Sequence, residues 1–99
     1  MRYGVAIPHA NAFAAPEVLR PLAHAVEELG FDSLWVSDHI IVPEGSSYIP
    51  EFMDEPLAVL AFLAAETRYI TLGTSVLIVP YRDPVFTAKF LSPVDFLSG

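Results

Sequence analysis

The sequence predicts an α/β fold built on a parallel sheet, and three observations carry that prediction. Short apolar runs alternate along the chain with stretches of helical period. The apolar runs start near residues 3, 33 and 70, so each βα unit takes about 34 residues, enough for a strand, a helical crossover and a return to a parallel strand. Hydrophobic residues make up 54% of the chain and charged ones only 17%, which suits strands covered on both faces and excludes a disordered segment. Two architectures meet these terms. One is a small, complete, doubly wound sheet. The other is the first three units of a (β/α)8 TIM barrel, which needs eight units and about 250 residues.

The elements follow in order. Tyr3–Ile7, "YGVAI", is a strand expected over 2–7 and stopped by Pro8, His9 and Asn11. From Pro16 the period lengthens, and Val18, Leu22, Val26 and Leu29 recur every three or four residues as the stripe of an amphipathic helix. Pro16 suits a first helical position, and Gly30 suits the residue just past the end. Pro21 has no amide donor and crowds the preceding turn, so a kink there or a start near Arg20 is expected. "SLWV" is the second strand, expected over 33–37, with Trp35 packed between sheet and helices. Pro43, Gly45, Pro50 and Pro56 break the long loop that follows. "PLAVLAFLAAETRY" is a second helix with Leu57, Leu60, Ala61 and Ala64 on one face. "ITLGTSVLIVP" is a β-branched third strand expected over 70–79. A third helix starts at Asp83 or Pro84 and is disturbed at Pro93. In a barrel wedge the helices cover one face only. Val5, Ile7, Leu34, Val36, Leu72 and Val76 are expected to point inward, away from them.

The net charge is −7, and the five bases are scattered, so no clustered cationic surface exists for nucleic acid or an anionic membrane. There is no cysteine, hence no disulfide, thiolate metal site or cysteine nucleophile. No apolar run approaches the roughly 18 residues of a membrane helix. The opening "MRYGVAIPHANAFAAPE" makes a poor leader because Pro8, His9 and Asn11 interrupt it, and the expected location is the cytoplasm.

In parallel α/β folds the ligand sits beyond the carboxyl ends of the strands. Those ends read "PHAN", "SDH" and "GTS" here, so polar groups reach one rim from all three strands. His9, Asp38, His39, Thr74 and Ser75 are therefore candidates for one pocket. Each also has a plain structural reading. Asp38 can cap a turn, His39 can donate to a carbonyl, His9 can be a solvated loop residue, and Tyr81 and Arg82 can be surface residues. The first strand has no GxGxxG turn, which weakens a dinucleotide site.

The phrases "RYGVAIP", "AVEELGFDSLWVSDHIIVP" and "EPLAVLAFLAAETRYITLGTSVLIVPYRDPVFTAKFLSPVDFLSG" resemble the amino-terminal part of luciferase-like monooxygenases. They are most similar to the branch of deazaflavin (coenzyme F-420)-dependent oxidoreductases. The resemblance implies a (β/α)8 barrel, with residues 1–99 as the amino-terminal part of that domain, cut after the third βα unit. It implies a ring cofactor in the barrel mouth, F-420 as first choice or FMN. It implies a small organic substrate, hydride transfer or oxygen activation, and a homo-oligomer at full length. On the matching motifs, His39 lies beside the ring with Asp38 next to it, and Thr74, Ser75, Val76 and His9 contact the cofactor. A non-prolyl cis peptide is implied at Ser75–Val76. Three departures stand out. Relatives commonly carry asparagine where His9 stands, they carry alanine and threonine around Pro93, and they continue beyond Gly99 into a fourth strand.

Two rival readings remain at this level. A metal-dependent barrel hydrolase or isomerase would hold zinc or manganese on His9, Asp38 and His39, although "GTSVLIVP" supplies no ligand. A catalytically silent chain would act by association through the open edge of the third strand.

Overall fold

The computed structural model describes residues 1–47 and 50–99. Three strands, β1 (Gly4–Ala6), β2 (Ser33–Val36) and β3 (Thr71–Thr74), form one parallel sheet in chain order. A helix follows each strand: α1 (Pro16–Glu28), α2 (Pro56–Glu66) and α3 (Pro84–Ser98). The three βα units are those the apolar spacing predicts. Among the described residues no helix is long and apolar enough to cross a membrane.

The register sets the two faces of the sheet. Val5, Leu34 and Leu72 stand in one row, and Ala6, Trp35 and Gly73 in the next. Leu34, Val36 and Ile7 are buried and form one core with Leu19, Ala23 and Val26 of α1 and Leu57, Val59, Leu60 and Leu63 of α2. The inward assignment of Val5, Ile7, Leu34, Val36 and Leu72 is therefore corrected: these side chains face the helices. Apolar alternation in a short strand identifies one shared face but not which side the helices cover. Val76 lies past the strand and is exposed.

The other face is uncovered, and Trp35 belongs to it rather than to the layer between sheet and helices. The indole keeps 37% of its surface exposed. It lies across two glycines: a Cβ on Gly4 would stand 2.5 Å from Nε1, and one on Gly73 would stand 2.6 Å from the ring. Its Nε1–H donates to Ser33 Oγ at 2.8 Å. Only glycine at both positions lets the ring rest flat on the strands. Gly73→Ala is expected to push the ring off its seat and to cost about 1–3 kcal/mol, the usual range for overpacking. Urea denaturation measures the cost. A variant as stable as the parent would show that the ring is not seated against Gly73.

Each helix starts and stops for local reasons. Pro16 takes the first position of α1, and the helix runs through Pro21 without starting afresh at Arg20. Its buried stripe is Leu19, Ala23 and Val26, with Val18 and Leu22 half-buried at its side and Leu29 exposed. The true stripe is thus rotated by about one residue from the periodic reading. Beyond Leu29, Gly30 adopts φ +80°. The Gly30 N–H donates to Glu27 O, and the Phe31 N–H donates to Val26 O. That double bond pattern closes a Schellman motif, where glycine is favoured by its left-handed backbone. Helix α2 is capped by Glu55, whose carboxylate accepts from the Ala58 N–H at 2.9 Å. It is apolar almost all round because α1, the sheet and α3 surround it. Helix α3 is capped by Asp83, which accepts from the Phe86 N–H at 2.7 Å, and it continues past Pro93 to Ser98.

Strand β3 is shorter than expected. It ends at Thr74, and the chain turns through Leu77 into a single 3-10 turn at Val79–Tyr81. The run "SVLIV" has strand composition, but its pairing with β2 goes no further than Ser75, and the Ile78 amide is engaged by a side chain. The Ser75 N–H donates to Val36 O at 2.7 Å, and the Ile78 N–H donates to a side chain described below.

At the opposite end of the sheet, Glu27 holds the loop before β3. One carboxylate oxygen accepts from the backbone N–H groups of Arg68, Tyr69 and Ile70. Burial pushes this carboxyl upward, but the three amides outweigh it and hold it below its ordinary value. A carboxyl lowered in the folded state stabilises the fold above its unfolded pKa and loses that contribution as pH falls through its folded value. Glu27→Gln is therefore expected to cost about 1–3 kcal/mol at neutral pH, the value of charge-assisted hydrogen bonds. The gap to the parent should close at acid pH. Denaturation of both proteins from pH 7 to pH 3 measures this, and a constant gap would contradict it.

Candidate functional site

A cleft of about 430 Å³ opens at the carboxyl ends of the strands, on the uncovered face of the sheet. Gly4 and Ala6 of β1, Trp35, Val36 and Ser37 of β2, and Thr74, Ser75 and Val76 after β3 line it. Its volume falls in the range of about 300–1,000 Å³ usual for small-molecule sites. The peptide between Ser75 and Val76 is cis, at the position the family resemblance implies. Thr74, Ser75 and Val76, singled out from the sequence, are thus brought together on one wall.

Asp38 lines no part of this cleft. Its side chain is fully buried and paired with Arg82, whose side chain is only 11% exposed. Arg82 Nη2 donates to Oδ1 at 2.9 Å and Nε donates to Oδ2 at 3.2 Å, a two-pronged contact. The Ile78 N–H donates to the same Oδ2 at 2.8 Å. Arg82 also reaches Glu55, the cap of α2. Burial alone would make the guanidinium less basic, but the two carboxylates outweigh it and hold Arg82 cationic.

His9 is not a solvated loop residue. It is 2% exposed, and its Nε2 accepts from the Ser37 N–H at 3.0 Å, so the neutral ring carries its proton on Nδ1. Nδ1 has no hydrogen-bond partner among the described residues. Burial pushes the imidazole below its ordinary pKa, against the opposing pull of Asp54 and Asp38. His9 lies behind the cleft, gripping the backbone of one lining residue, Ser37. His39 is half-buried and engaged in no hydrogen bond or ion pair among the described residues.

Asp38 and His39, adjacent in sequence, therefore differ in kind: one is saturated by partners, the other has none among the described residues, and neither lines the cleft. The three groups a metal ion would need are not gathered, and no cluster of three His, Cys, Asp or Glu side chains suited to a metal occurs among the described residues. Sequence reasoning offered Arg82 as a possible ligand contact or a surface residue, where the structure pairs it with Asp38, and it missed Glu55. A signal was present, since "SDH" and "YRDP" place opposite charges after neighbouring strands.

Comparison with known proteins bears on what this cleft serves. The model of a family described as luciferase-like monooxygenase matches residues 1–99, the whole chain. The chain belongs to this luciferase-like family. Three relatives illustrate its range. The chain is 38% identical over 85 residues to an F420-dependent glucose-6-phosphate dehydrogenase of Kineococcus radiotolerans, covering 85% of this chain and 24% of that protein. It is 33% identical over 78 residues to a 4-hydroxyprotoasukamycin monooxygenase of Streptomyces nodosus subsp. asukaensis, covering 79% and 19%. It is 26% identical over 89 residues to the alkanal monooxygenase alpha chain of Photorhabdus laumondii subsp. laumondii, covering 87% and 23%. The chain thus spans about a fifth to a quarter of the length of the curated luciferase-like relatives it matches. The three parallel βα units accord with the start of a luciferase-like barrel.

Proposed function

We propose that this chain supplies one side of the cofactor site of a flavin- or deazaflavin-dependent oxidoreductase acting on a small organic substrate. The observation that carries the reading is the cleft at the strand carboxyl ends, walled by Thr74–Val76 and floored by Trp35, in a chain matched throughout by the family. Coenzyme F-420 is the first choice, supported by the 38% identity to an F420-dependent relative, and FMN is the second. A bound ring of either kind supplies hydride transfer or oxygen activation, and the protein supplies orientation and electrostatics. Thr74, Ser75 and Val76 would hold the ring on one side. His9 fixes the Ser37 backbone at the cleft wall. His39 would move a proton, a role for which its unengaged imidazole suits it. Asp38 would serve catalysis indirectly, since its oxygens are already occupied.

Titration of the complete gene product with F-420 and with FMN, followed by equilibrium dialysis, tests this reading. Saturable binding of one ring is expected, with F-420 the tighter. Binding of neither would defeat it.

A further inference from the structure

We infer that Arg82 is a positioning residue for the rim of the cleft, acting through the Asp38 carboxylate on the Ile78 amide. This rests on reading the cleft as a ring site. The rim segment from Ser75 to Ile78 carries two lining residues, Ser75 and Val76, yet belongs to no strand. Among the described residues it is tied to β2 and its end at two points. One is a backbone bond, from the Ser75 N–H to Val36 O. The other is the Ile78 N–H donated to Asp38 Oδ2, and it depends on where a side chain stands. A carboxylate can rotate, and what stops Asp38 from doing so is the two-pronged contact of Arg82.

The chemistry asks for arginine in particular. Its planar fork fixes both oxygens at once, whereas a lysine ammonium is a point charge that leaves the carboxylate plane free. Arg82 itself lines no part of the cleft, and its guanidinium reaches the rim through Asp38. Its remaining contact, to Glu55, joins the same device to the start of α2. One guanidinium thus links the end of β2, the turn after β3 and the amino end of α2. The bland alternative is a buried ion pair that stabilises the fold and leaves the rim indifferent.

Arg82→Gln and Arg82→Lys in the complete gene product separate the two. Glu27→Gln serves as a control that loses stability at the far end of the sheet. Amide hydrogen exchange is read at Ile78, and affinity is read for whichever ring the parent binds. Arg82→Gln should speed Ile78 exchange by about tenfold or more, the effect of releasing one hydrogen-bonded anchor. It should weaken ring affinity by about the same factor. Arg82→Lys should fall between Gln and the parent, and it decides the matter alone if the Gln protein does not fold. Glu27→Gln should change neither readout. The inference is overturned if Ile78 exchange is unmoved in both Arg82 variants, if Glu27→Gln accelerates it equally, or if exchange rises while ring affinity stays at the parent value. A parent that binds no ring defeats the cofactor reading by itself, and the exchange comparison still decides what Arg82 holds.

Discussion

Asp38→Ala is expected to remove about 3–5 kcal/mol of folding stability, the usual cost of leaving one member of a buried ion pair alone. Asp38 is fully buried and accepts from the Ile78 N–H and from two nitrogens of Arg82. Truncation strands all three donors. Arg82 would keep Glu55, but that carboxylate is 47% exposed and screened by water, so it compensates little. Replacing Asp38 and Arg82 together by apolar residues of similar size should be milder than either single change, because no charge is then left unpaired. Chemical denaturation of the three variants measures this. A single-site loss below about 1 kcal/mol would sink the claim that the pair is a buried, coupled unit.

His39→Ala should behave in the opposite way. The imidazole is half-buried and makes no hydrogen bond among the described residues, so its removal should leave stability nearly unchanged. In the complete gene product, turnover should fall by about 10²–10⁴-fold, the contribution of a positioned acid or base. Steady-state kinetics beside a thermal melt gives both numbers. Parent-like turnover would mean that His39 is idle. A large drop in melting temperature would mean that it is structural.

Much of the fold was legible because local rules and tertiary packing agree. Pro16 starts a helix and Gly30 ends one for reasons that need no neighbours. The three apolar runs are strands because only burial on a sheet suits them. Legibility failed where a long-range partner decides. "SVLIV" reads as strand, yet the Ile78 amide is taken by a carboxylate 40 residues earlier in the chain. The helix-covered face could not be read from strands of three or four residues. Trp35 was placed on the wrong side because an indole usually signals core, and the clue lay in two glycines on neighbouring strands. Of the site, the rim and the residues Thr74–Val76 were legible from the strand ends and the family pattern. The separate fates of Asp38 and His39 were not, because adjacent residues can point to opposite sides of a chain.

The strand order has a kinetic consequence. Each strand pairs only with strands adjacent to it in the chain, so β2 meets β1 and β3 meets β2 with a single crossover between them. Among the three described strands no pairing waits for a distant segment. A ribosome releases the amino end first, at about 5–20 residues per second. The β1–β2 pair with α1 can therefore form before β3 has been synthesised, and β3 then adds to the free edge of β2. Sheets wired in this way keep loop-closure entropy low at each step.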